Sequence, residues 1–465
     1  MGNQRADAAA ENMPTLQKMV QNMIKELTKL QKMPMPYTDK DDDFPLPRMI
    51  ATGSGGSIII SRKIDQTIMA VADHLMDDDP TLGPKFSRAE WRASVRRAFG
   101  PALAPIDLDH DPAKNADTVL AEVKTSLNKQ VSAHGVQEFA FGCTLFRNAA
   151  VKPFAFGPVR FEARLDWLAR KHQEGAVSTV TRCRVERAWS GKALRKRKPS
   201  YDSIGETDIL DVIGGCSFAC SIETDGLAAE AGRERALTAA RLATAAIALL
   251  WQTPSKALEG INLQFDRSPH RRKALTFIPG KIVLAGSSWS HMPHGPWLKA
   301  GEWEDFLKED TDYFAVVGEI LDYVVNPTGS VARPRLMNTL AQALLWFHEG
   351  CREPVTLMAI VKFSASLDAL ACGRKSSGIR RLINARLGIQ DNMTIRPDGP
   401  TLKQAIDEIY SDGRSRTVHG TNMKLGYDWM TTRSLAEQFG QLCLRASIDW
   451  AAKNPTSDDP LKLSR

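Results

Sequence analysis

The chain has 465 residues, 43% of them apolar and 25% charged, enough for two or three domains with real cores and too apolar for wholesale disorder. Its net charge of +7 and pI near 9.0 lean towards a polyanionic partner. No run approaches the roughly eighteen apolar residues of a membrane span, and the opening residues lack signal-peptide zoning, with Ala6 where a myristoylation signal needs Ser or Thr. The expectation is a cytoplasmic protein without a membrane partner.

Residues 1–48 read as an amphipathic helical arm and an acidic linker. Leu16, Met19, Val20, Met23, Ile24, Leu27 and Leu30 recur at helical spacing, and a narrow, aromatic-free stripe of this kind predicts docking on the chain's own body or on a partner. Pro34 and Pro36 end the arm, and Asp39 and Asp41–Asp43 make the linker acidic.

Residues 49–326 predict an α+β domain. Strands are expected at Ser57–Ser61, Gln137–Phe146, Val159–Leu165, Ser178–Ala188, Ser217–Glu223, Ile261–Phe265 and Leu275–Leu284, from β-branched and aromatic enrichment. Helices are expected at Asp65–Leu75, Arg88–Phe99, Ala116–Asn128 and Leu227–Trp251. Within the last of these, Ala239–Trp251 is the most apolar run of the chain, but it is short and carries Arg241, so it predicts a buried core helix. Seven scattered cysteines, with only Cys216 and Cys220 close together, predict reduced, mostly buried thiols. Gly53–Ser57 lacks the Gly-Lys-Ser/Thr ending of a phosphate-binding loop and precedes a strand, and His291 and His294 have no further ligand at metal spacing.

Residues 327–456 predict a helical bundle, with 457–465 a flexible tail. Apolar positions recur with helical period over Arg335–Phe347, Thr356–Ala371, Thr401–Tyr410 and Thr432–Ala452, and Thr401 with Gln404 forms a plausible capping box. Between the third and fourth helices lies Tyr410-Ser-Asp-Gly-Arg414-Ser415-Arg416-Thr-Val-His419-Gly420. Arginine keeps its charge and grips phosphate, while histidine exchanges protons near neutral pH; together they suffice to cut RNA without a metal. On a straight helix positions five apart diverge by roughly 140°. Acting on one phosphate therefore requires a bent helix start, which Gly413 and Gly420 permit, or a second subunit. The run Arg374, Lys375, Arg380, Arg381, Arg386 holds five cations and no acid; it reads either as phosphate-binding edge of the same cleft or as a solvated helix face. Arg195–Lys198 and Arg267–Lys273 are basic loops facing nucleic acid or water.

A tyrosine, then Arg-Ser, three residues and His-Gly resembles the hallmark of HEPN domains of the ApeA-like group, and the apolar helix around Asp368 is similar to that group's acidic helix, with Asp where Glu is more usual. The resemblance covers the C-terminal region only. It implies a metal-independent, cofactor-free endoribonuclease that leaves a 2′,3′-cyclic phosphate and works as a homodimer with both copies lining one cleft. His419 would be general acid or base, and Arg414 would hold the phosphate and offset growing charge. Ser415 would orient Arg414 or a phosphate oxygen, Asp368 would steady one of these side chains, and Arg374, Lys375, Arg380, Arg381, Arg386 and Arg416 would bind RNA. Proteins resembling it serve in phage defence and toxin systems, with a regulatory protein or nucleic-acid trigger expected at the N-terminal domain. The alternative is an inactive HEPN scaffold that binds a partner protein or nucleic acid. The expected fold class is α+β: an N-terminal mixed α/β region followed by a C-terminal all-α HEPN helical bundle.

Overall fold

The computed structural model describes residues 15–33, 48–148, 151–266, 270–279, 281–290, 295–326, 329 and 331–465, with backbone alone for 270–278 and 281–290. The acidic linker, residues 267–269 of the basic run Arg267–Lys273, and the His291–His294 pair lie outside the described residues. The chain is mixed α+β, 61% helical with small sheets, and divides into two compact units: residues 1–137 with 225–234, and residues 138–224 with 235–465.

The first unit opens with α1, Leu16–Gln31. Thr15 accepts a hydrogen bond from the Lys18 N–H at its start, and Val20, Met23, Ile24, Leu27 and Leu30 are buried. The arm therefore docks on its own body, against α2 (Arg62–Asp78) and α4 (Pro112–Ala133). The hairpin β1 (Arg48–Ala51) and β2 (Ser57–Ile60) precedes α2, and residues 52–56 supply its turn. α3 (Arg88–Leu103) begins with a capping box between Ser87 and Glu90.

The second unit contains a five-stranded sheet in the order β4 (Phe154–Phe156), β5 (Val159–Ala163), β6 (Phe218–Thr224), β3 (Gln137–Thr144), β7 (Asn262–Leu263). Helices α5 (Arg164–Gln173), α6 (Thr179–Trp189) and α7 (Tyr201–Ile213) connect β5 to β6. Ser178–Ala188 is thus a helix and not the expected strand. Its β-branched residues are overridden by the Ser178 cap on the Thr181 N–H and by an Arg182–Glu186 pair one turn apart. The single strand expected over Leu275–Leu284 is a hairpin, β8 (His270–Ile278) and β9 (Lys281–Ser290), broken at Pro279.

α8 (Ala229–Ala248) lends its alanine-rich later turns to the core of this unit, followed by α9 (Pro254–Gly260), α10 (Glu302–Glu309) and α11 (Thr311–Val325). The C-terminal region is helical: α12 (Pro334–Arg352), α13 (Thr356–Leu370), α14 (Lys375–Leu387), α15 (Leu402–Ile406), a π-helix over Asp407–Ser415, a single turn at Arg416–Val418, and α16 (Met430–Lys453). Its apolar faces and the sheet share one core running from Phe141 to Leu463. Residues 457–465 do not fray. Asp458 accepts from the Arg335 and Leu336 N–H groups that the start of α12 leaves unpaired, and Pro460–Ser464 forms a 3₁₀ turn with Leu463 buried.

Candidate functional site

Three elements converge around the arginine–histidine segment. α13 packs against α14, against the π-helix and against the turn at Arg416–Val418. α15 starts with the expected capping box, the Thr401 hydroxyl accepting from the Gln404 N–H and the Gln404 side chain accepting from that of Thr401. The coil then widens: Arg416 donates its N–H to the Ser411 carbonyl, five residues back. Widened turns of this kind are concentrated at functional sites. Gly413 makes this one possible, because a Cβ there would sit 2.7 Å from Ile360 Cγ2 on α13.

Arg414 is half-buried on this widened coil. Its guanidinium lies over the Tyr410 ring, 5.1 Å from the centroid, and Nη1 donates to the Tyr410 hydroxyl at 3.3 Å. Burial, then the Asp368 carboxylate, push the Tyr410 phenol above its ordinary range, with Arg414 opposing them. Tyr410 is therefore a neutral phenol at pH 7 that accepts from Arg414 and keeps a proton to donate. Among the described residues, no acid pairs with Arg414.

His419 ends the turn. Gly420, with φ +70°, donates to the Thr417 carbonyl and Thr421 to that of Arg416, the paired bonds of a Schellman cap. The imidazole is exposed and has no hydrogen-bond or ion-pair partner among the described residues. The widened coil stops at Ser415, so the step to His419 follows α geometry and the two side chains leave well apart around the axis. The half-buried Ser415 hydroxyl has no bond to either of them among the described residues, and its carbonyl accepts the His419 N–H at 3.0 Å.

Asp368 does not hold Arg414 or His419 by a hydrogen bond. Its Oδ1 accepts the Lys375 N–H at 3.0 Å, and its carbonyl accepts the Gly373 N–H at 2.8 Å. These bonds clamp a strained turn in which Cys372 (φ +55°) and Lys375 (φ +57°) both adopt left-handed backbone. Asp368 thus fixes where the basic helix α14 begins, within electrostatic reach of Tyr410.

The basic run separates into two groups. Arg380 is paired with Asp391 at 3.1 Å and with Asp407 at 3.5 Å, acids that other segments bring to it. Arg386 stacks on Trp450 and donates to the Arg465 carbonyl, and Arg416 pairs with Asp412 at 3.1 Å. Arg374, Lys375 and Arg381 have no acidic partner among the described residues; Lys375 and Arg381 are exposed and Arg374 is half-buried. Arg374 caps the start of α14, and Arg381 lies on the helix itself. Two contributors had no role assigned from the sequence. Tyr410 was legible as a partner four positions before Arg414; Asn422, which ties the loop after His419 to the Asp412 carbonyl and the Thr417 hydroxyl, carried no local signal.

Three thiols of the second unit, Cys143, Cys216 and Cys220, are buried, and burial pushes each above its ordinary range; Cys220 and Cys216 add to this at Cys143, and Arg164 opposes it at Cys216. No group of three or more potential metal ligands is found among the described residues, and no single helix there is long and apolar enough to cross a membrane. No protein family, no curated protein and no solved structure matches the chain.

Proposed function

We propose that this protein is a metal-independent endoribonuclease of the HEPN type, acting as paired copies. One copy's His419 takes the proton of a ribose 2′-hydroxyl, and the freed oxygen attacks the adjacent phosphorus. The bond to the 5′-oxygen breaks, that oxygen takes a proton from water, and the second copy contributes its Arg414 to the same site. The ends are a 2′,3′-cyclic phosphate and a 5′-hydroxyl. Arg414, preset on Tyr410, neutralises charge gathering on the phosphate, and Arg374, Lys375 and Arg381 hold neighbouring phosphates.

The observation that carries this reading is an arginine and a histidine at the hallmark positions, beside the cations Arg374, Lys375 and Arg381, all five without an acidic partner among the described residues. Arginines elsewhere in this unit are largely tied to carboxylates, as Arg170 and Arg333 are. The test is incubation of the full chain with total RNA in EDTA, beside Arg414→Ala and His419→Ala. Cleavage by the unaltered protein alone, slowed at least about a hundredfold in each variant, is the expected result. Equal cleavage by all three, or none by any with a partner supplied, removes the proposal.

A non-catalytic HEPN scaffold is the second reading. Asp368 favours it, since its carboxylate serves a backbone N–H and neither Arg414 nor His419.

A further inference from the structure

A second cationic surface stands apart from the arginine–histidine segment. Residues 182–198, spanning α6 and the segment that follows it, hold eight Arg and Lys against one carboxylate, Glu186. That net +7 equals the excess of the whole chain. Four of the eight are anchors. Arg182 pairs with Glu186. Arg184 reaches Glu206 on α7 at 2.8 Å and also donates to the Arg195 carbonyl at 2.9 Å. Arg187 donates to the Ala193 carbonyl at 3.0 Å, and Arg197 donates to Thr181, Asp202 and Glu206. The other four, Lys192, Arg195, Lys196 and Lys198, are exposed and have no acidic partner among the described residues.

The loop is thus built inward and left bare outward. Like charges this close repel, and an untethered segment would spread them; here three arginines and the buried Glu206 hold the backbone that carries them. Immediately after the loop, at the first turn of α7, the Tyr201 ring is 95% exposed. A fixed row of cations beside an open aromatic face matches what single-stranded nucleic acid offers, spaced phosphates and stackable bases. From this we infer that the 192–201 loop is a docking surface for single-stranded nucleic acid. It is distinct from the Arg414–His419 segment and independent of whether that segment cleaves.

The test measures binding, not cleavage. The full chain carrying His419→Ala is titrated against a labelled oligouridylate of about twenty nucleotides, a matching DNA strand and phosphatidylserine vesicles, from about 50 to about 200 mM salt. Combined Arg195→Gln, Lys196→Gln and Lys198→Gln weakens strand binding at least about tenfold at low salt and flattens the log–log salt slope by about 2, near 0.7 per lost contact. Tyr201→Ala weakens it at least about fivefold and leaves the slope unchanged. Lys114→Gln, Lys124→Gln and Lys129→Gln, removing the same exposed charge from α4, leaves both intact. The inference is overturned if the loop variant binds like the parent, if both triple variants lose equally, or if the loop matters for vesicles and not for strands.

Discussion

At the scale of single residues, the charged groups sort by whether an acid reaches them. Arg333 is 2% exposed and is matched by Glu319 and by the Ala451 and Asn454 carbonyls, as a buried cation must be. Arg414 is half-buried over the Tyr410 ring, with no acidic partner among the described residues; the ring offsets part of its desolvation and leaves its charge for a ligand. Glu138 is the opposite case. Burial pushes its carboxyl up, but hydrogen bonds from Arg170 and Lys171 outweigh this and hold it at about 2. Its folded value lies below its unfolded one near 4.5, so the stabilisation is complete above that value and disappears as pH falls towards 2. Glu138→Gln therefore lowers stability by about 1.5–3 kcal/mol near neutral pH, and the gap to the parent closes on acidification. Thermal melting followed from about pH 7 to about pH 3 reads it; a gap that stays constant excludes Glu138 as a source of the acid sensitivity.

At the scale of elements, the π-helix is the feature on which the site's geometry turns. Gly413→Ala places a methyl where Ile360 Cγ2 already lies, so the coil shifts off α13 or narrows. The expected cost is about 1–3 kcal/mol in urea unfolding, with a fall in RNA cleavage larger than the folded fraction explains. Ile360→Ala in the same chain recovers part of the loss, and strict additivity of the two changes refutes the contact argument. The same segment shows what the sequence could carry. The amphipathic arm, the capping box at Thr401 and the main bundle helices were legible because periodicity and caps are local. The widened coil was not, because it depends on Ile360 meeting Gly413 across two helices. Nor was the pairing of Arg380, whose acids stand 11 and 27 positions away. α5 and α7 escaped because short charged helices leave a weak apolar rhythm, and Ser178–Ala188 misled because Val and Thr favour strands only when no cap and no ion pairs intervene. The tail was misjudged for a related reason: its polar residues complete the start of α12, a role with no signature in the tail itself.

At the scale of the whole molecule, the question is whether one chain suffices. Arg414 folds back on Tyr410 while His419 faces solvent a turn later, and α geometry sends the two side chains in different directions. Next to His419 runs a stretch of exposed apolar side chains, with Val418, Tyr427 and Met430 open and Met423 and Leu425 92% and 74% exposed. Exposed apolar groups gathered beside a polar site are the mark of an interface, and a twofold axis there would bring one copy's arginine to the other's histidine. Met423→Asp with Leu425→Asp accordingly yields monomers in sedimentation with unchanged thermal stability and little cleavage. Complementation separates a shared cleft from a mere dimer. Mixing inactive Arg414→Ala and His419→Ala chains forms heterodimers that keep one intact arginine and one intact histidine on opposite copies. If subunits exchange freely, half of the dimers are mixed and half of their sites are whole, so roughly a quarter of the parental rate returns. Mixed dimers that form and stay silent mean that each chain must carry both groups, and the proposed pairing across the axis is then wrong.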